Sequence, residues 1–132
     1  MAEFIMKHLV TQAGRASDFE IASAAVSTEE IGNDIYPPAK RMLASKNIPF
    51  THHSARQMTR ADYAYYDHIV CMDQSNLRWL RYIIGEDTDN KVSLMMAWAG
   101  KNRDVADPWY TGDFTKAYDD ILEGCQGMLQ QI

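Results

Sequence analysis

The sequence predicts an α/β fold, a three-layer α/β/α stack around a short parallel sheet, and three observations carry that expectation. Apolar stretches at 19–26, 68–72 and 92–96 have the length of buried strands. The segments around them repeat their apolar residues every three or four positions, as amphipathic helices do. Strands separated by helices need crossover connections, so they pair in parallel and the helices cover both faces of the sheet.

Each element has its own signal. Ala2, Ile5, Met6, Leu9, Val10 and Ala13 share one helical face, and Gly14 stands where a helix ends. Phe19 to Val26 is expected to be a buried strand, and Ser27 to Tyr36, with Gly32, Asn33 and Asp34, a loop. A second helix is expected over 39–47, with Met42 and Leu43 inward and Pro37 and Pro38 ahead of it, where missing N–H groups do little harm. Thr59 to Tyr66 reads as a short, tyrosine-rich helix, His68 to Met72 as a strand, and Ser75 to Ile84 as the helix after it. Asp73 sits at that strand's C-terminal end, where open α/β sheets place functional groups; it is equally suited to capping the next helix. Val92 to Met96 is a further strand. In the last helix Phe114, Tyr118, Ile121, Leu122, Cys125, Met128 and Leu129 form an inward stripe. No repeat, low-complexity run or Pro/Gly linker divides the chain, so a single domain over 1–132 is expected.

Composition excludes several functions. At 46% apolar residues the chain can fill one core. A net charge of −5, with Lys and Arg scattered, argues against a nucleic-acid partner, because neutralising phosphates needs clustered cations. No run approaches the roughly 18 apolar residues of a membrane span, and the N-terminus lacks the regions of a signal peptide. Cys71 and Cys125 are far apart and unpatterned, which fits a reducing compartment, and a cytoplasmic location is expected. His52 and His53 are adjacent, so in an extended segment they point to different faces, and no ligand follows at metal spacing. No metal and no cofactor are expected.

The densest cluster of chemistry-bearing residues is Asp104-Val105-Ala106-Asp107-Pro108-Trp109-Tyr110-Thr111-Gly112-Asp113-Phe114. Pro108 fixes its own φ and pushes Asp107 toward an extended conformation, so this carboxylate is carried on a stiff segment. Trp109 and Tyr110 add two ring faces suited to a flat group, and Gly112 lets the chain turn into the helix that Asp113 caps. These residues serve equally well as a packed helix-leading loop.

Asp-Val-x-Asp-Pro-[aromatic]-Tyr-x-Gly-x-Phe before a terminal amphipathic helix resembles the low-molecular-weight protein tyrosine phosphatases. The resemblance extends through Met1-Ala2-Glu3, Phe19 to Ala24, Gly32 with Pro37-Pro38, Ala55-Arg56-Gln57 and Met72-Asp73-Gln74-Ser75-Asn76-Leu77. It implies that Asp107 is the general acid, that Trp109 and Tyr110 flank the substrate ring, and that Asp73 orders the phosphate loop. It implies a phosphotyrosine protein or aryl phosphate as substrate wherever the full site is present. In family members a strand and a Cys-x5-Arg-Ser loop stand directly ahead of the Met-Ala-Glu helix, and residues 1–132 contain neither that nucleophilic Cys nor that phosphate-binding Arg. The expectation is therefore a longer natural product with an upstream loop, and a very poor phosphatase for the chain as written. In the family some members carry a cleft-lining aromatic where Thr28-Glu29-Glu30 stand here, so substrate preference does not transfer.

Cys71 does not replace the missing nucleophile: Arg78 lies one residue too far, no glycine intervenes to curl N–H groups around an anion, and Asp73 repels one. In the family the absent strand is central, between the counterparts of 19–26 and 68–72. The chain is expected to compensate either by closing those strands together or by associating as a homodimer or higher oligomer, the latter being favoured. A non-catalytic interaction or dimerisation module is the alternative function. Arsenate reduction ranks lower, because it needs further redox cysteines.

Overall fold

The computed structural model describes residues 1–27, 32–107 and 114–132. Among these residues the α-helices and strands follow in the order α1 (Ala2–Gln12), α2 (Pro37–Ser45), α3 (Arg60–Tyr65), β1 (Ile69–Cys71), α4 (Gln74–Ile84), β2 (Val92–Leu94) and α5 (Phe114–Gln131). The fold is α/β with a short parallel sheet. β1 pairs with β2 in the register Ile69 to Val92, Val70 to Ser93 and Cys71 to Leu94.

Local chemistry sets the boundaries. Pro37 and Pro38 lie inside the first turn of α2, so the helix starts earlier than Ala39, and Tyr36 is extended ahead of them. In α3, Asp62 N–H donates to Thr59 Oγ1 at 3.2 Å while Thr59 N–H donates to the Asp62 carboxylate at 2.9 Å, a reciprocal cap. Gly85 ends α4 at φ 73°, a conformation that only glycine adopts without strain. Asp87 then turns the chain into β2, accepting from Tyr63 Oη at 2.6 Å, Lys91 N at 2.8 Å and Val92 N at 3.0 Å. The expected strand over 92–96 stops at Leu94, and Met95–Ala99 winds into a 3₁₀ turn that packs along α5.

The core lies where α1, α2 and α5 meet the sheet. Ile5, Leu43, Met96 and Cys125 are fully buried, and an aliphatic side chain so placed contributes about 1.5–3 kcal/mol. Two glycines set the approach of α5. A Cβ on Gly127 would sit 2.0 Å from the Trp98 carbonyl oxygen, and one on Gly124 would sit 2.6 Å from the Met95 side chain. Gln131 reinforces the contact, donating to the Trp98 and Gly127 carbonyls at 3.1 and 3.0 Å.

The expected buried strand over 19–26 is not formed. Phe19, Ile21, Ser23 and Ala25 are half-buried while Glu20, Ala22 and Ala24 are exposed, the alternation of a strand, yet among the described residues the only ladder contact is a single parallel bridge from Ala25 to Gln57. Ala25 N–H donates to Arg56 O at 2.7 Å and Met58 N–H to Ala25 O at 2.8 Å. The physical reason is the lack of a neighbour on the other edge. A cavity of about 1110 Å³ lies between this segment and β1, so the two have not closed together. Among the described residues no helix is long and apolar enough to cross a membrane.

Candidate active site

The segment 103–107 is bound to the C-terminal end of β1 on one side and to α5 on the other. Val105 N–H donates to the Met72 carbonyl at 2.9 Å, and Gln74 N–H donates to Asp104 Oδ1 at 3.1 Å. Opposite, Arg103 donates both guanidinium nitrogens to the two oxygens of Asp120, each at 2.8 Å, and Ala106 N–H donates to Asp120 Oδ2 at 2.9 Å. Asp120 is 4% exposed. The Arg103 guanidinium holds its carboxyl below the ordinary range against the opposing effect of burial, with the Ala106 N–H assisting. Asp107 follows directly on this anchored backbone, and its residue is exposed. Its expected neighbours Trp109 and Tyr110, and the expected cap Asp113, lie outside the described residues, as do Thr28, Glu29 and Glu30.

Asp73 sits at the same strand end. It caps α4, its Oδ1 accepting Asn76 N–H at 2.7 Å, and the Asn76 side chain in turn accepts Met72 N–H at 3.1 Å. Asp73 and the acid segment are therefore joined through Met72, Gln74 and Asn76. Tyr36, which the sequence reading passed over, lies at this end too: its ring is 6.0 Å from that of Phe114, the first residue of α5.

A second cluster was also missed. Ser23 Oγ donates to Glu3 Oε1 at 2.7 Å and lies 3.3 Å from His53 Nε2, while His53 N–H donates to Asp34 Oδ1 at 2.8 Å. Burial pushes Glu3 up, but hydrogen bonds from Lys7 and Ser23 and the charges of Lys7 and His53 outweigh it and leave its carboxyl below the usual range. Here the serine proton goes to the carboxylate, so the trio braces α1 against 19–26 and lacks the arrangement of a hydrolytic triad. The paired histidines diverge as expected, His53 inward and His52 outward to Asp34 at 3.2 Å. Only the exchange of partners between distant segments links these residues, and no local motif announces it.

Both cysteines are free and buried. Burial, with a smaller contribution from the Asp73 charge, pushes the Cys71 thiol up to about 11. Burial pushes Cys125 up to about 12 against the opposing amino terminus. Neither is a thiolate at neutral pH, so neither attacks phosphorus.

The segment 103–107, which carries Asp107, is thus laced to the end of a parallel strand. The sequence profile of the low molecular weight phosphotyrosine protein phosphatases matches residues 1–132. This chain belongs to that family. It is 34% identical over 138 residues to the low molecular weight phosphotyrosine protein phosphatase of Rattus norvegicus, covering 99% of this chain and 85% of that one. The crystal structure of YfkJ from Bacillus subtilis superposes with a TM-score of 0.93 at 28% identity, over 99% of this chain and 84% of that chain. The structure of SP-PTP, a low molecular weight protein tyrosine phosphatase from Streptococcus pyogenes, gives 0.87 at 32% identity, over 99% and 82%. Within these 132 residues no cysteine is followed by arginine at the sixth position.

Proposed function

We propose that residues 1–132 form the acid-bearing part of a phosphotyrosine monoester hydrolase, with Asp107 as general acid, and that turnover requires a Cys-x5-Arg phosphate loop, which this sequence does not contain. The anchoring of 103–106 to Met72, Gln74 and Asp120 carries the reading, since a proton donor works only when held in position. With such a loop supplied, a thiolate attacks phosphorus as the bond to the tyrosyl oxygen breaks, and Asp107 gives its proton to the departing oxygen. Water then attacks the phosphocysteine, Asp107 takes the proton back, and phosphate leaves with the thiolate restored. Trp109 and Tyr110 would hold the ring of a phosphotyrosine protein or aryl phosphate. Two free, protonated thiols suit a reducing, cytoplasmic setting.

The test compares para-nitrophenyl phosphate turnover by this chain with that of a version extended by a strand and a Cys-x5-Arg-Ser loop. Background rate for the first and turnover by the second are expected. Brisk hydrolysis by the 132-residue chain, or no gain on extension, overturns the reading. A non-catalytic interaction module is the second reading, and turnover by the extended version would exclude it.

A further inference from the structure

We infer that the outward face of α4 is a docking surface for an acidic segment of a partner protein, one that sets an apolar side chain between carboxylates. This goes beyond the hydrolase reading and does not depend on it.

The first argument is the pair of rings. Ser75, Arg78, Trp79 and Tyr82 recur at three- and four-residue spacing, so they form one stripe along the helix. All four are exposed, Trp79 at 55% and Tyr82 at 79%, and the two ring centroids lie 5.7 Å apart. A single exposed aromatic is ordinary, but two in contact on a helix whose opposite face already buries Leu80 make a patch that the fold itself does not use. Tryptophan, tyrosine and arginine are also the side chains enriched at the centres of protein interfaces.

The second argument is charge, which decides the kind of partner. The chain carries a net charge of −5, yet Gln74–Ile84 contains no carboxylate and two exposed guanidiniums, Arg78 and Arg81. Among the described residues neither has an ion-pair partner, whereas Arg56 and Arg103 are each bound to a carboxylate. Arg60 adds a third cation at the C-terminal end of the helix, its Nε donating to the Ile83 carbonyl at 3.1 Å. At the other end Asp73 is already engaged as the cap. Uncompensated guanidiniums beside two ring faces are complementary to carboxylates around an apolar group: the forks take the carboxylates and the rings take the apolar side chain.

Other coverings fit this face less well. A second copy meeting it across a two-fold axis would set Arg78 and Arg81 against their own counterparts. A lipid surface needs a wider apolar stripe; here Ser75 and Arg78 stand beside the rings, and anionic headgroups repel a chain of net charge −5. The stripe is also turned away from the cavity beside β1, which Leu80 lines from the opposite side of α4, so its exposure is independent of what fills that cavity.

The experiment titrates the full 132-residue protein with the peptide acetyl-Asp-Glu-Phe-Glu-Leu-Asp-amide and with its uncharged Asn/Gln counterpart, followed by NMR shift mapping. Saturable binding of the acidic peptide alone is expected, with shifts centred on 75–82. Arg78→Gln with Arg81→Gln, and separately Trp79→Ala, should each weaken it about tenfold or more. Arg41→Gln with Lys116→Gln, an equal change of net charge at exposed sites on α2 and α5, should leave it within about twofold. All these side chains are exposed, and thermal melts check that each variant folds. Equal weakening by the two charge pairs indicates unspecific attraction and overturns the proposal. So does absence of saturation at about 1 mM peptide, or shifts centred elsewhere. Broadening of 75–82 with protein concentration alone would make a second copy the occupant, and Trp79-dependent binding to phosphatidylserine vesicles would make it a lipid surface; either overturns the proposal.

Discussion

Arg103 grips Asp120 through two parallel N–H···O bonds of 2.8 Å, joining the start of the acid segment to the middle of α5. The same carboxylate takes Ala106 N–H, so one buried residue fixes the backbone next to Asp107. Asp120→Ala is expected to destabilise the fold by about 2 kcal/mol, the range for hydrogen bonds to a charged group, with the pair itself discounted for the solvent around Arg103. Urea unfolding measures it; an unchanged midpoint contradicts the anchoring role.

The same residue sets an acid limb. Asp120 has its folded pKa depressed, so its stabilisation is present above the unfolded value near 3.9 and is lost as pH falls through the lower folded value. Asp62, depressed by Arg56, and Asp34, depressed by Lys40, act in the same direction. Thermal melts should therefore fall steeply below about pH 4, and Asp120→Asn should fall less steeply than the parent. Parallel curves would remove Asp120 from the account.

In the loop-extended version, Asp107→Asn should slow aryl phosphate hydrolysis by about 10²- to 10⁴-fold, and most for poor leaving groups. Equal loss across leaving-group pKa would assign Asp107 to binding instead of proton transfer.

Cys71 and Cys125 should resist iodoacetamide at pH 8 in the folded protein and react fully in denaturant, since burial raises both thiols to about 11 and about 12. Mass spectrometry counts the adducts. Rapid alkylation of the native protein would reopen a nucleophilic role.

Gly127→Ala should destabilise by about 1–3 kcal/mol, because its Cβ meets a backbone carbonyl at 2.0 Å that cannot swing aside. Gly124→Ala should lose less, because its Cβ would meet the Met95 side chain at 2.6 Å and the Met95 carbonyl oxygen at 2.8 Å, a backbone approach less severe than the 2.0 Å at Gly127. The reverse order in calorimetry would contradict the packing of α5 on the Met95–Ala99 turn.

The helices and the paired strands were legible because each carries its own period: α1, α4 and α5 fall within a residue or two of the apolar repeats. The cluster around Asp107 stood out in the sequence, but its residues alone served equally well as a packed loop. Asp120 was not, because a carboxylate beside Asp119 in a helix reads as solvated, and its partner Arg103 lies on a different segment. Ser23, Glu3 and His53 were illegible for the same reason, being brought together only by tertiary packing. The segment 19–26 has a buried strand's apolar run in sequence and a strand's alternation in burial, but a ladder needs a neighbour, and local sequence says nothing of whether one stands alongside.

The segment 103–107 takes its support from Met72, Gln74 and Asp120. Displacing it breaks bonds to the sheet's end and to α5 together, so Asp107 rides on backbone that moves with the body of the molecule.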